Sequence, residues 1–67
     1  MEKMIKVSGM HCKSCEMLLA DVVCDVKGVD RVIADSKRGI VTLTARTPDA
    51  IESAKKAIEN EGYRVIG

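Results

Sequence analysis

The sequence has almost no aromatic residues: it contains no Trp, no Phe and a single Tyr, Tyr63. Single-stranded nucleic acids bind on platforms of stacked aromatic side chains, so this mode of binding is excluded. An excess of charge of one sign is also missing, because 11 basic and 10 acidic residues leave a formal net charge of +1. A basic arm for nucleic acid and a strongly charged membrane-binding patch are therefore excluded, and we expect no nucleic-acid partner.

Long hydrophobic runs are absent, so the sequence predicts no membrane insertion and contains nothing like the core of a signal peptide. We therefore expect a cytoplasmic protein. A chain of 67 residues has room for only one small core, which predicts a single domain over residues 1–67. This length leaves no space for a large substrate cleft or a nucleotide-binding fold, and we expect a protein that is not an enzyme.

Three cysteines are present, an odd number for a set of structural disulfides. The cytosol keeps thiols reduced, so a use in metal binding or redox chemistry is favoured over a disulfide framework.

Hydrophobic periodicity predicts alternating strands and helices. The predicted elements are a strand over Glu2–Val7, a helix from Cys15 to Gly28, two hairpin strands over Val29–Asp35 and Ile40–Ala45, a helix from Thr47 to Gly62, and a strand over Tyr63–Ile66. This order predicts an α+β, ferredoxin-like βαββαβ fold with both helices on one face of a four-stranded antiparallel sheet.

Apolar positions at helical or strand spacing predict the core. The first helix presents Cys15, Leu18, Leu19, Val22, Val23 and Val26. The second helix presents Ile51, Ala54 and Ile58, with Ala50 and Ala57 on its flank. Val32 and Ala34 are expected to pair with Val41 and Leu43 on the inner face of the hairpin.

The chemistry is concentrated in Gly9–Cys15, the segment GMHCKSC between the first strand and the first helix. Two cysteines three positions apart at a helix start can turn both sulfurs toward one point. Unpaired backbone N–H groups and the helix dipole lower thiol pKa values there, and Lys13 adds positive charge. The spacing therefore predicts a thiolate pair, Cys12 and Cys15, that suits a soft cation.

The number of ligands favours Cu(I) over zinc. Two thiolates match Cu(I), Ag(I) or Hg(II), whereas a structural Zn(II) site takes four ligands. Cys24 lies nine residues beyond Cys15, about 13 Å along a helix and on its opposite side, so it is not expected to join. An open site for Zn(II) or Cd(II), with His11 or water as an added ligand, stays an alternative.

The segment Gly-Met-x-Cys-x-x-Cys after a first strand resembles the heavy-metal-associated domain family, which includes small cytosolic copper chaperones and N-terminal domains of metal-transporting P-type ATPases. Lys27-Gly28-Val29 after the first helix and Gly62-Tyr63 near the C-terminus strengthen the resemblance. It implies the βαββαβ fold, an exposed Cys12/Cys15 site and Cu(I) transfer by ligand exchange with a partner's matching cysteine pair. The implied partner is a P-type ATPase or its soluble metal-binding domain.

The resemblance also implies roles for neighbouring residues. Met10 is expected to be a core residue that anchors the loop, and Tyr63 either packs at the core edge or covers the metal loop. His11 stands where zinc-exporting members have an acidic residue, which favours copper; it is either a solvated loop residue or an auxiliary ligand. Lys13 either is solvated or offsets the negative charge of a bis-thiolate centre.

The sequence leaves two other functions open. The chain could be a detached regulatory domain that senses metal, or a dithiol–disulfide oxidoreductase, since thioredoxin-like proteins also place Cys-x-x-Cys between a strand and a helix. Against the redox function, no Trp precedes the pair and no Pro separates the two cysteines. We expect a monomer without metal, while a dimer bridged by metal or linked through Cys24 stays open.

Overall fold

A computed structural model describes residues 1–66 of the chain. The elements, in order, are β1 (Glu2–Ser8), α1 (Lys13–Cys24), β2 (Val29–Asp35), β3 (Ile40–Ala45), α2 (Pro48–Asn60) and β4 (Arg64–Val65). Over residues 1–66, no helix is of the length and hydropathy that a membrane crossing requires. The predicted βαββαβ order is confirmed.

The four strands form one antiparallel sheet in the order β2-β3-β1-β4. The hairpin pairs Val32 with Leu43 and Ala34 with Val41, as the alternation predicted. A register shift between Val29 and Arg31 marks a bulge at the start of β2. Because side chains alternate across a strand, this register sends one set of residues toward the helices and leaves the other on the opposite, outer face.

The core lies between the sheet and the two helices, and the most buried side chains come from the sheet, from both helices and from the loop between β1 and α1. It contains Ile5, Val7, Met10, Leu19, Val23, Val41, Leu43, Ala45, Ala50, Ala54 and Ile58. The core residues of the strands all lie on one face of the sheet, and both helices pack on that face.

Helix α1 is shifted toward the N-terminus relative to its prediction. It begins at Lys13, two residues before Cys15, and ends at Cys24 rather than near Gly28. Beyond Cys24 the chain tightens into short turns, with the Val26 N–H donating to the Val23 carbonyl at 3.0 Å, and Gly28 reverses direction at a φ of 93°. Leu18 is 41% exposed, so its predicted place in the core stripe is wrong.

Helix α2 begins as its sequence predicted. The Thr47 hydroxyl accepts a hydrogen bond from the Ala50 N–H at 3.3 Å, and Pro48 occupies the first turn. Ala50, expected on the flank, is buried, whereas Ile51 is only partly buried. Relative to the predicted stripe, the helix is therefore rotated about its axis so that Ala50, Ala54 and Ile58 face the core.

Candidate metal centre

The loop between β1 and α1 is held in place by the core below it. Gly9 adopts a φ of 99°, a left-handed conformation that favours glycine. Met10, the next residue, is 3% exposed and belongs to the core cluster, as expected. The buried Met10 side chain thus anchors the loop. Two residues later, Cys12 lies exposed at the surface.

Cys12 is the N-cap residue of α1, with extended backbone angles and no hydrogen bond from its side chain to the helix. Its carbonyl oxygen closes the first turn instead, accepting from the N–H groups of Cys15 at 3.1 Å and Glu16 at 3.2 Å. Serine, threonine, aspartate or asparagine at this position would ordinarily use the side chain as the cap. Here the thiol is left free for other chemistry.

The two sulfurs of the motif lie close together. The Cys12 Sγ donates to the Cys15 Sγ at 3.6 Å. Cys12 is exposed and Cys15, in the opening turn of α1, is half-buried against the core. The pair therefore combines one sulfur held by packing with one that projects into solvent.

The pKa of Cys15 is lowered from 9.0 to about 7. The largest cause is the Tyr63 hydroxyl, which faces the Cys15 sulfur and favours the thiolate; the His11 backbone N–H and the Cys12 thiol act in the same direction. The same interaction raises the pKa of Tyr63, because only the protonated hydroxyl can donate a hydrogen bond to the Cys15 sulfur. Close to neutral pH, the Cys15 sulfur is therefore substantially ionised.

Tyr63 packs at the edge of the core and also lies beside the loop that holds the sulfurs. Its ring packs against the core cluster and its hydroxyl faces Cys15. The ring also lies beside the start of the loop, since a Cβ added to Gly9 would be 3.6 Å from the Tyr63 Cδ1. Tyr63, which directly precedes β4, thus connects the C-terminal part of the chain to the loop that holds the sulfur pair.

The other predicted neighbours are less closely associated with the sulfurs. His11 is exposed, and its backbone N–H rather than its imidazole interacts with Cys15. Lys13 is exposed at the first position of α1, where its charge helps to lower the pKa of Glu16. Cys24 is exposed at the last position of α1, a helix length of about 13 Å from Cys15.

Sequence reasoning missed Glu16. Its carboxylate accepts a hydrogen bond of 2.6 Å from the Ser36 N–H, which ties the first turn of α1 to the β2–β3 turn. This bond is the main cause that lowers the pKa of Glu16. The same turn is fixed to β1 by the Val7 N–H, which donates to the Gly39 carbonyl at 2.7 Å. No local pattern links Glu16 to a turn 20 residues away.

Within residues 1–66, no group of three or more His, Cys, Asp or Glu side chains is arranged to hold a metal ion. Over that range, the structure brings together the two sulfurs, the Tyr63 hydroxyl and the backbone of the loop. Thiolate pairs of this kind are soft ligands, which select soft cations such as Cu(I) over hard ones.

Known proteins are similar to this chain in sequence and in fold. The sequence model of the "Heavy-metal-associated domain" family matches residues 4–64. No curated protein matches the chain significantly. Among solved structures, the CopZ metallochaperone superposes with a TM-score of 0.90 at 25% identity, covering 98% of this chain and all of that one.

Two further structures are similar. The N-terminal domain of ZntA in its Zn(II) form has a TM-score of 0.88 at 25% identity, covering 97% of this chain and 88% of that one. A copper-binding domain from HMA7, a P-type ATPase, has a TM-score of 0.83 at 20% identity, covering 98% and 93%, a likeness of fold alone.

Proposed function

The chain belongs to the heavy-metal-associated domain family, and from that premise we propose that it binds one Cu(I) ion through Cys12 and Cys15 and passes it to a partner by ligand exchange. The observation that carries this proposal is the sulfur pair itself. Two thiols lie 3.6 Å apart at an exposed helix start, and the pKa of one of them is about 7. A thiolate, rather than a thiol, is the form that binds metal.

The donor set favours Cu(I). Two thiolate sulfurs satisfy a soft cation of low coordination number, whereas a structural Zn(II) site needs four ligands. The side chain before Cys12 is an exposed imidazole, His11, rather than a carboxylate. Ag(I) and Hg(II) share the preference of Cu(I) for sulfur, and Zn(II) or Cd(II) would need His11 or water in addition.

A linear ion requires the two sulfurs to lie farther apart than they do in this structure. With a metal–sulfur bond of about 2.3 Å, the length known for zinc, linear coordination separates two sulfurs by about 4.6 Å. The pair at 3.6 Å must therefore open by about 1 Å to bind a linear ion. Cys12 is the sulfur free to move, because it is exposed and its side chain makes no cap to the helix.

Transfer requires no redox change. A thiolate of the partner forms a bond to the bound Cu(I), a three-coordinate bridge results, and the bond from one of the original sulfurs then breaks. The ion remains Cu(I) throughout, and the released thiolate is free to take up a proton from water. Exposure of Cys12 supports this route, since an incoming sulfur can approach the ion without any rearrangement of the core.

A competition titration tests the binding step. Reduced protein is offered Cu(I) against a chromophoric chelator under anaerobic conditions, with equimolar Zn(II) present and native mass spectrometry as the readout. We expect one Cu(I) per chain and no retained zinc. Cys12→Ser and Cys15→Ser should abolish tight binding while leaving the circular dichroism unchanged. Cys24→Ser, the matched control, should bind like the parent.

The partner that we propose is a metal-transporting P-type ATPase or its soluble metal-binding domain. A copper-binding domain of one such ATPase has the same fold as this chain, so two similar surfaces could meet around one ion. Mixing Cu(I)-loaded protein with such a domain, followed by separation and metal analysis, should show redistribution of copper. Retention of all the copper on this chain would favour a metal-sensing or storage role instead.

The lowered pKa of Cys15 also favours a second function, dithiol–disulfide exchange, because a thiolate is the nucleophile in that reaction. That function predicts reduction of insulin disulfides by the metal-free protein, with a Cys12–Cys15 disulfide as product. We expect no such activity. Insulin reduction by the parent but not by Cys15→Ser would replace the transfer proposal.

A further inference from the structure

The side of the sheet that faces away from the helices, here called the outer sheet face, has an apolar centre. Met4 and Ile33 flank Thr42 in one row across β1, β3 and β2, as the register places them. Met4 is 60% exposed and Ile33 is 59% exposed, and the partly buried Ile40 lies in the next row. Within residues 1–66, no helix or loop covers these side chains, since both helices pack on the opposite side.

Four charged residues surround this centre. Glu2 and Arg31 lie at either side of Thr44 in the row beyond Met4, one on β1 and one on β2. Lys6 and Asp35 lie at either side of Ile40 in the row on the other side of the centre. The corners of the outer sheet face therefore alternate in sign, negative and positive along each edge.

These corners are too far apart to neutralise one another within the chain. Corners on β1 and β2 are two strand spacings apart, about 10 Å, and the two corners on one strand are four residues apart, about 13 Å. Within residues 1–66, Asp35 alone among the four forms an ion pair, with Arg38 at 3.8 Å on the exposed hairpin turn. Glu2, Lys6 and Arg31 are exposed without an ion-pair partner in that range.

A square of alternating charges is complementary to its own copy. A twofold axis along β3, in the plane of the face, places Glu2 opposite Arg31 of a second copy and Lys6 opposite Asp35. An in-plane twofold axis perpendicular to β3 places Glu2 opposite Lys6 and Arg31 opposite Asp35. Either axis keeps the strands of the two sheets roughly aligned, the usual arrangement for sheets that pack face to face.

We propose that the outer sheet face is a self-association surface on which a second copy of this chain docks, with the apolar centres in contact and the charged corners paired across the interface. The proposal is independent of the metal function, because Cys12 and Cys15 lie in the loop and on α1, away from this face. The three strands that form the outer sheet face, six or seven residues each, cover about 15 by 20 Å, well below the ~800 Å² per partner of a standard interface. The dimer is therefore weak and forms at high protein concentration.

Sedimentation equilibrium on reduced, metal-free protein tests this surface. The Cys24→Ser variant serves as the background for all samples, so that no disulfide dimer contributes. The expected result is an average mass that rises above the monomer value of 7.3 kDa as the concentration approaches about 1 mM, and falls back with added salt. A mass that stays at the monomer value over that range overturns the proposal.

Charge reversal gives the decisive comparison. Glu2→Lys places like charges together under either axis and should weaken association about tenfold. Glu52→Lys, the matched control, makes the same change at an exposed position of α2 on the helix side and should have no effect. Equal weakening by the two variants would show that net charge alone matters and would refute the surface.

A second reversal should restore association and identify the axis. Glu2→Lys with Arg31→Glu recovers both corner pairs if the axis runs along β3. Glu2→Lys with Lys6→Glu recovers them if the axis is perpendicular to β3. Recovery in one double variant and not in the other supports the proposal; recovery in neither contradicts it. All of these positions are exposed, so loss of folding is not expected, and circular dichroism checks this.

Discussion

The Cys15 thiolate depends most on a single hydroxyl group, that of Tyr63, and Tyr63→Phe removes it while keeping the ring. The hydroxyl is the largest cause of a Cys15 pKa of about 7, compared with 9.0 for an unperturbed thiol. At pH 7, a thiol with a pKa of 7 is half ionised, whereas one with a pKa of 9 is ionised to about 1%. We expect the variant to have a Cys15 pKa between these limits, because the His11 N–H and the Cys12 thiol still favour the thiolate.

The pH midpoint of alkylation measures this pKa directly. Metal-free, reduced protein is treated with iodoacetamide across a pH series, and modification at each cysteine is followed by tandem mass spectrometry. The midpoint is a better readout than the rate at one pH, because the nucleophilicity of a thiolate falls as its pKa falls. Alkylation of Cys24, which is exposed at the far end of α1, serves as an internal control for the activity of the reagent in the same sample.

The contributions to the lowered Cys15 pKa differ in size, and this difference supplies a control variant. Cys12→Ala removes a smaller contribution than Tyr63→Phe does, so it should raise the Cys15 midpoint by less. A parent midpoint near 9.0, or a Tyr63→Phe midpoint unchanged from that of the parent, would refute the assignment of the hydroxyl to the thiolate.

Folding stability should follow the same pKa. The pKa of Cys15 is lower in the folded state than in the unfolded chain, so the folded state binds fewer protons between the two values. The contribution to stability is fully present above pH 9.0 and is lost as the pH falls through about 7. The urea midpoint of the metal-free parent should therefore rise from pH 7 to pH 9, and Tyr63→Phe should flatten that rise.

Three other predictions concern the fold. Gly28→Ala should lower the free energy of unfolding by about 1–2 kcal/mol, because φ is 93° and the new Cβ would lie 3.0 Å from an α2 side chain; thermal melts would reveal no change if this is wrong. The lowered pKa of Glu16 predicts stability that is lost as the pH falls below 4.5, and Glu16→Gln should weaken this dependence in acid unfolding curves; a curve like that of the parent would contradict it. Ile58→Ala should lower the free energy of unfolding by about 2–5 kcal/mol, which is comparable to the whole net stability of so small a domain. Circular dichroism should therefore show a largely unfolded chain. The control variant Ile66→Ala, at a position that is 57% exposed, should remain folded.

The fold was predictable because each element has a strong local signal. Alternation gave the bounds of β2 and β3, and Thr47-Pro48 gave the start of α2. The end of α1 was not predictable from periodicity, since Val26 continues the apolar pattern although the helix has already ended at Cys24. Spacing predicts Leu18 in the core stripe for the same reason: it fixes which residues share a side of a helix, but packing against the sheet fixes the rotation of that side.

The candidate site was predictable only where its residues are close in sequence. Cys12 and Cys15 follow from the spacing of the motif. The contact between Tyr63 and Cys15 joins positions 48 residues apart, and only the family resemblance suggested it. The hydrogen bond from the Ser36 N–H to Glu16 has no sequence signal, because it depends on where the β2–β3 turn lies relative to α1.

The identity of the atoms around bound copper tests the central proposal most directly. X-ray absorption at the copper edge, on protein loaded with one Cu(I) and free of added thiols, counts those neighbours. The proposal predicts two sulfur neighbours and no nitrogen in both the parent and Cys24→Ser, whereas Cys15→Ser should not retain the ion. A nitrogen neighbour, or a sulfur that disappears in Cys24→Ser, would contradict the assignment of Cys12 and Cys15 as the ligand pair.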